Sequence, residues 1–300
     1  MKSIRISGHF LLLSAAFIWG FAFVAQRQGM EHMQPLTFNG IRFLLGAISL
    51  LPLCFIIKPK INRSMPVRKS LLMGMLAGVP LFFAASFQQL GILYTSAGNA
   101  GFITSLYIVF VPLLSLAGRK RSGTQTWIGI LVSTIGLYFL SAYPGWIIQV
   151  GDLLVLISAV FWALHLIVLS YLSPGYDFRL LAVSQYVFTG ILSLGIGLLL
   201  GETINQPNII AAIGPLLYAG IASVGVGYTL QLMGQRTVRA DHAALILSLE
   251  AVFAAFGGWL ILSEKLSLPG IAGSLLMLTG VVVAQVSLFR KKSAKNRPLN

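Results

Sequence analysis

Glu250 has the clearest capacity for chemistry in this chain. It stands near the middle of an apolar run, 241–262, and a carboxyl in hydrocarbon is costly enough to need a reason. At that depth it could exchange a proton or meet a substrate ammonium. The plainer alternative is a neutral carboxyl bonded to a neighbouring backbone or side-chain group. Arg42 lies in the run 35–57, with Asn39 one turn before it. Its guanidinium could hold an anion at the mouth of a cavity. It could equally snorkel to the interface or bond the carbonyls of a neighbouring helix.

Aromatic and amide residues accompany these two charges. Trp19 and Trp162 lie mid-run, away from the span ends where tryptophans such as Trp127, Trp146 and Trp259 normally sit. They could wall a ligand cavity or serve as packing. Tyr107 is also mid-run. His165 follows Trp162 by about one turn, so both project from one face, although a lone membrane histidine is often simply hydrogen-bonded. Gln88 and Gln89 place amides toward one side of the bilayer, and Gln185, Tyr186, Tyr228 and Gln231 place polar groups toward the other. Asn99 and His242 begin their runs and are expected to cap helices. The candidate substrate-binding set is therefore Trp19, Asn39, Arg42, Gln88, Tyr107, Trp162, His165, Gln185, Gln231 and Glu250. The sequence has no Gly-rich phosphate loop ending in Lys-Ser/Thr and no Cys/His cluster with metal spacing, so no enzyme, cofactor or metal site is expected.

Ten apolar runs must position these residues. Each is about 20 residues long, enough to cross a bilayer as a helix. They fall at roughly 7–26, 35–57, 69–93, 97–117, 125–143, 151–171, 178–200, 209–233, 241–262 and 269–289. The first is too long for a signal peptide and lacks a small-x-small end. Pro80, Pro112 and Pro215 are expected to kink spans three, four and eight. Gly74-x-x-x-Gly78 and Gly197-x-x-x-Gly201 read as close-packing motifs. Gly129/Gly136 and Gly273/Gly280 share one spacing in spans five and ten, which read as scaffold or as the surface of a homodimer. Cys54 is the only cysteine and reads as a packed thiol.

The runs repeat. Trp19 maps onto Trp162, Arg42 onto Gln185, Gln88 onto Gln231, Gly91 onto Gly234 and Tyr107 onto Glu250, all 143 positions apart. Ser105-Leu106-x-x-Val109-Phe110 maps onto Ser248-Leu249-x-x-Val252-Phe253. Five spans per half is an odd number, so the halves, 1–145 and 146–300, are expected to sit inverted in the bilayer. Inverted repeats place a substrate site near the midplane between them. Loop charges agree. With the N-terminus in the cytoplasm, 18 of the 21 Lys and Arg residues fall on the inner side. The loop 58–69 is strongly basic, whereas its repeat partner 201–208 has no Lys or Arg.

Composition excludes the soluble classes. The chain has 300 residues, 57% hydrophobic and only 9% charged, with mean hydropathy +0.87. So few charges cannot cover a water-facing surface. The net charge of +14 therefore reflects basic loops beside a membrane and does not point to nucleic acid.

Three segments carry a family resemblance: Phe17-Ile18-Trp19-Gly20, Phe38-Asn39-Gly40-Ile41-Arg42-Phe43, and Ser248-Leu249-Glu250-Ala251-Val252-Phe253 running to Leu262-Ser263-Glu264. With the duplicated ten-span plan, they make the chain similar to EamA-type proteins of the drug/metabolite transporter superfamily. The resemblance implies an all-α fold of ten transmembrane helices in two inverted five-helix repeats, and a central cavity used in alternating access. It implies a multi-pass protein of a bacterial inner membrane with both termini cytoplasmic. The implied activity is secondary-active export of small organic metabolites such as amino acids or drugs, with coupling to a proton or another ion left open. A passive facilitator or channel without ion coupling is the alternative, and a structural or signalling membrane protein the third reading. Ala251 and Ser263 replace a proline and a glycine common in the family, which predicts a straighter span nine.

Overall fold

Apolar runs bounded by polar caps and glycines divide the chain into helices and little else. The computed structural model describes residues 7–56, 66–117, 122–142, 149–263, 265 and 267–295. In the first half, α1 (Gly8–Gly29), α2 (Pro35–Ile56) and α3 (Val67–Ile92) are followed by α4 (Ala97–Ser105) and α5 (Tyr107–Ala117). α6 (Thr124–Leu137) then widens into a π-helical turn, Tyr138–Ala142. In the second half, α7 (Val150–Leu172) and α8 (Phe178–Leu199) precede α9 (Gln206–Ala211), α10 (Ile213–Leu217) and a π-helical stretch, Tyr218–Gly227. The chain ends in α11 (Tyr228–Gln235), α12 (Ala240–Leu247), α13 (Glu250–Leu262) and α14 (Leu268–Lys295). No strand occurs among the described residues.

Eight stretches are long and apolar enough to cross a membrane. The fifth and tenth expected spans, Thr124–Leu140 and Leu268–Ala284, are shorter apolar helices. Caps set many of the boundaries. Ser7, Ser96 and Asp177 accept the N–H groups of His9, Asn99 and Arg179 at the starts of α1, α4 and α8. Gln149 and Asp152 form a capping box on α7. Asn99 and His242 do not cap as expected: Ser96 takes that place on α4, and no side chain caps α12.

The breaks fall where sequence does not place them. α3 runs through Pro80, and α5 through Pro112. Span four instead parts at Leu106, and span nine parts at its repeat partner, Ser248-Leu249. Span nine is therefore interrupted, not straighter. The two breaks touch: the Ser105 hydroxyl donates to the Ser248 carbonyl at 3.2 Å, across 143 residues. That carbonyl also accepts the Ala251 N–H at 3.1 Å, a tighter turn than the α-helical one. Only Pro215 lies beside a disturbance, a few residues before the π-helical stretch.

Glycine crossings hold the bundle. A Cβ on Gly91 would lie 2.7 Å from the Gly151 carbonyl, and one on Gly234 would lie 2.9 Å from that of Gly8. Gly8 and Gly91 have Gly151 and Gly234 as repeat partners, so these are one crossing made twice, α3 on α7 and α11 on α1. The Gly129/Gly136 face of α6 packs on the Gly273/Gly280 face of α14 within the chain, with Cβ-to-carbonyl distances of 2.6 Å for Gly129 and Gly136. These glycines are scaffold and not a dimer surface. Gly74 and Gly78 press on α8 as expected, but Gly201 serves a turn, with φ +86°. Many expectations about loop charge rest on Lys2, Arg5, Lys58, Lys60, Arg63, Arg119, Lys120, Arg121 and Arg297. These, with Trp146, Glu264 and the side chain of Cys54, lie outside the described residues.

Candidate functional site

Interrupted helices and the mid-helix tryptophans converge on one small cavity of about 30 Å³. Trp19, Ala22, Phe23 and Gln26 of α1 form one wall, spaced three to four residues apart on one helical face. Arg42, Gln88 and Thr104 enter from α2, α3 and α4. Tyr107 and Glu250 enter from the first residues of α5 and α13. Trp162, Leu166, Ser223, Tyr228, Gln231 and Leu247 complete the lining. All are buried except Trp19, which is half-buried.

Five lining pairs are repeat partners: Trp19/Trp162, Phe23/Leu166, Gln88/Gln231, Thr104/Leu247 and Tyr107/Glu250. The cavity thus straddles the junction of the two halves. Its aromatic wall is continuous. Tyr228 sits 4.6 Å from Trp19 and 5.8 Å from Trp162, ring centroid to centroid, nearly parallel to the second. The indole N–H of Trp19 donates to the Ser223 carbonyl at 3.3 Å, whereas that of Trp162 has no protein partner.

Seven of the ten expected residues line this space: Trp19, Arg42, Gln88, Tyr107, Trp162, Gln231 and Glu250. The other three stand behind it. Asn39 accepts from Arg42 Nε at 2.8 Å and donates to the Ala85 carbonyl at 2.9 Å, so it aims the guanidinium. Phe43 and Phe38 flank that guanidinium at 5.1 and 6.0 Å. His165 Nε2 lies 3.0 Å from Gln185 Oε1, and both are fully buried. Arg42 neither snorkels nor bonds a backbone carbonyl.

Sequence reasoning left Gln26, Thr104, Ser223 and Tyr228 outside the candidate set. Three of them carried a signal. Gln26 lies two turns after Trp19, Tyr228 lies one turn before Gln231, and Thr104 is one turn before Tyr107 across the break.

Charge and unmet hydrogen bonding define the site's chemistry. The Glu250 carboxyl and the Tyr107 hydroxyl, repeat partners, face each other, whereas Arg42 Nη2, Trp162 Nε1, Gln231 Oε1 and Gln26 Oε1 are buried without a protein partner. Buried polar atoms are ordinarily satisfied, so these need water or a ligand. Arg42 and Glu250 form no ion pair with each other. No cluster of three metal-ligating side chains occurs among the described residues.

This aromatic, partly charged cavity lies inside a bundle whose helices include eight long and apolar enough to cross a membrane. The chain belongs to the EamA-like transporter family, whose profile matches residues 6–142 and 149–285, one copy per half. It is 30% identical over 278 residues to an uncharacterized transporter of Archaeoglobus fulgidus, covering 92% of this chain and 84% of that one. The uncharacterized transporter YoaV of Bacillus subtilis is 23% identical, over 94% and 97% of the two chains. The uncharacterized inner membrane transporter YicL of Salmonella typhimurium is 26% identical, over 94% and 96%. A crystal structure matches the fold with a TM-score of 0.73 at 16% identity, covering 94% of this chain and 98% of that chain.

Proposed function

We propose that the protein is a secondary-active transporter that exports small organic metabolites by alternating access. Its working unit is ten membrane helices in two inverted halves, 1–145 and 146–300, with both termini in the cytoplasm. The observation that carries this reading is the cavity lined by buried residues of both halves, several of whose polar groups have no protein partner. A scaffold or signalling protein has no use for such groups, which cost free energy unless something occupies the space. Pairs of helix breaks beside the cavity give the halves points about which to rearrange. Glu250 is the group through which a proton gradient would act, because it is the ionisable carboxyl in the lining.

Flux into proteoliposomes, with and without an imposed pH gradient, tests the proposal. A secondary-active exporter accumulates substrate against its gradient when the pH gradient is present. Equilibration to equal concentrations under both conditions favours the passive facilitator. Membrane orientation has its own test. Asn62 and Asn205 are repeat partners, and cysteines at the two positions should label from opposite faces. Labelling of both from one face contradicts the inversion.

A further inference from the structure

The cavity is too small for a metabolite. Its volume of about 30 Å³ has room for roughly one or two waters, so a substrate can enter only if the walls move apart. Two larger pockets lie at the surface, of about 410 Å³ and about 510 Å³. Six residues lining the second are repeat partners of six lining the first. Arg27 and Glu31 map onto Ser170 and Pro174, and the connection 93–96 maps onto 236–239. A stripe of every fourth residue joins each pocket to the cavity. Trp19 and Phe23 of α1 line the cavity, and Arg27 and Glu31 line the larger pocket. Their partners Trp162 and Leu166 of α7 line the cavity, and Ser170 and Pro174 line the smaller pocket. The two stripes run to opposite ends. α1 starts against Gly234, just before the connection 236–239, and α7 starts against Gly91, just before the connection 93–96.

At each pocket a hydroxyl of the first half donates to a carboxylate of the second. The Thr95 hydroxyl donates to Asp152 Oδ1 at 2.7 Å, and the Ser122 hydroxyl to Asp241 Oδ2 at 2.9 Å. Thr95 lines the larger pocket, and Ser122 and Asp241 line the smaller. Each carboxylate is anchored in its own half by its other oxygen. Asp152 Oδ2 accepts the Gln149 N–H at 2.9 Å, and Asp241 Oδ1 accepts the His242 N–H at 3.0 Å. The pockets repeat, but these bonds do not. Thr95 has Val238 as its repeat partner, Asp152 has His9, Ser122 has Lys265 and Asp241 has Gly98. The same chemistry thus occurs twice from unrelated positions, each time where it ties the halves together beside a pocket. We propose that Thr95–Asp152 and Ser122–Asp241 are two latches of the transport cycle: releasing one opens the cavity to its own pocket while the other holds the opposite end. The inference rests on the transporter reading above and assigns positioning residues to its movement. The latches differ in strength. Thr95 is the one partner of Asp152 Oδ1 among the described residues, whereas Asp241 Oδ2 also accepts from Arg239 Nη2 at 3.0 Å. Losing Thr95 strips a buried carboxylate oxygen, and losing Ser122 does not.

Thiol labelling inside the cavity reads which end opens and needs no substrate. The full-length protein carries Ala22→Cys, at a lining position of α1, with Cys54→Ser to remove the native thiol, and sits in oriented membrane vesicles. A membrane-impermeant maleimide is applied to one face or the other. Tyr94→Cys and Thr237→Cys, at exposed repeat partners beside the two pockets, identify the faces in separate samples. Thr95→Val, which copies the repeat partner, should speed cavity labelling about tenfold from the face of Tyr94 and not from that of Thr237. Ser122→Ala should speed it about threefold, and only from the face of Thr237. Thr95→Ser, which restores the hydroxyl, should label at the wild-type rate. A loosened fold would label faster from both faces together. Faster labelling from both faces, from the opposite face to that expected, or from neither overturns the latches. The transporter reading stands or falls separately, on flux of any metabolite in the proteoliposome experiment.

Discussion

Two regions of this molecule treat the internal repeat in opposite ways. Where helices cross, the halves agree: Gly8 on Gly234 copies Gly151 on Gly91, and Gly129 on Gly280 copies Gly136 on Gly273. Where the cavity lies, they diverge: Arg42 faces Gln185's place, Glu250 faces Tyr107's, and Tyr228 occupies the position that is Ala85 in the first half. The difference has a physical basis. A backbone crossing leaves no room for any side chain, so both copies of the crossing require glycine. A cavity wall has room to vary, and a ligand without two-fold symmetry is matched only by walls that differ. Chemistry in this fold is to be sought where repeat partners disagree.

The sharpest way to break that comparison is to restore symmetry at a cavity charge. Glu250→Gln should leave the protein in the membrane and lower flux by about tenfold or more, the cost of removing a charged hydrogen bond. Near-normal flux across pH, at matched expression, would mean that the carboxyl is structural. The crossings should respond the other way, in stability alone. Gly91→Ala and Gly234→Ala each push a Cβ to within 3 Å of a backbone carbonyl and should destabilise by about 1–3 kcal/mol. Gly195→Ala, with nothing within 4 Å, should be neutral or slightly stabilising. Thermal unfolding of the three variants in detergent measures this. If Gly195→Ala is as damaging as the other two, the crossings are not what matters.

The paired tryptophans test a position where partners agree in type but differ in bonding. Trp19→Ala and Trp162→Ala should each reduce flux severalfold and change which substrates compete. Phenylalanine keeps the ring area but not the indole N–H. Trp162 donates to no protein group, whereas Trp19 donates to Ser223. Phe should therefore rescue position 162 better than position 19. Equal rescue, or competition profiles identical to wild type, would reduce both residues to packing.

Legibility of the sequence follows the same division. The helices, the duplication and seven of the cavity residues could be read from apolar run length and from polar residues stranded within runs. These signals are local or strictly periodic. The helix breaks at Leu106 and Ser248-Leu249 could not be read, because no proline or glycine stands there. They lie beside a hydrogen bond between the two halves, Ser105 to Ser248, which no single segment contains. His165 and Gln185 stand behind the cavity and bond each other, while His165 Nδ1 and Gln185 Nε2 keep no protein partner. A polar residue in a membrane span marks a need for a partner, and sequence cannot say whether that partner is protein or ligand.

The smallest expected effect lies at the helix ends, where the halves also differ. α8 is capped by its own Asp177, whose carboxyl also pairs with Arg179. Burial would raise the Asp177 pKa, but hydrogen bonds and charge from Arg179 outweigh it and hold the carboxyl below its usual range. That cap persists at neutral pH and is lost only as pH falls beneath the carboxylate range. α2 has no such cap of its own. Glu202, just past α8 in the other half, supplies one: Oε1 accepts from the Leu36 N–H at 3.1 Å, and Oε2 accepts from the Thr37 N–H and hydroxyl at 2.7 and 2.8 Å. The Thr203 N–H donates to Gln34 Oε1 at 2.8 Å and ties the same two segments together. Glu202→Ala should therefore cost about 1 kcal/mol, the usual worth of a helix cap. It should also loosen the contact between the end of α8 and the start of α2, because this cap is shared between halves. Glu202→Gln keeps one acceptor oxygen and turns an amide toward Thr37, so it should fall between wild type and Ala. Unfolding measurements rank the three. Hydrogen exchange at Leu36 and Thr37 locates the loss, and unchanged protection there in Glu202→Ala would show that α2 does not depend on the other half for its cap.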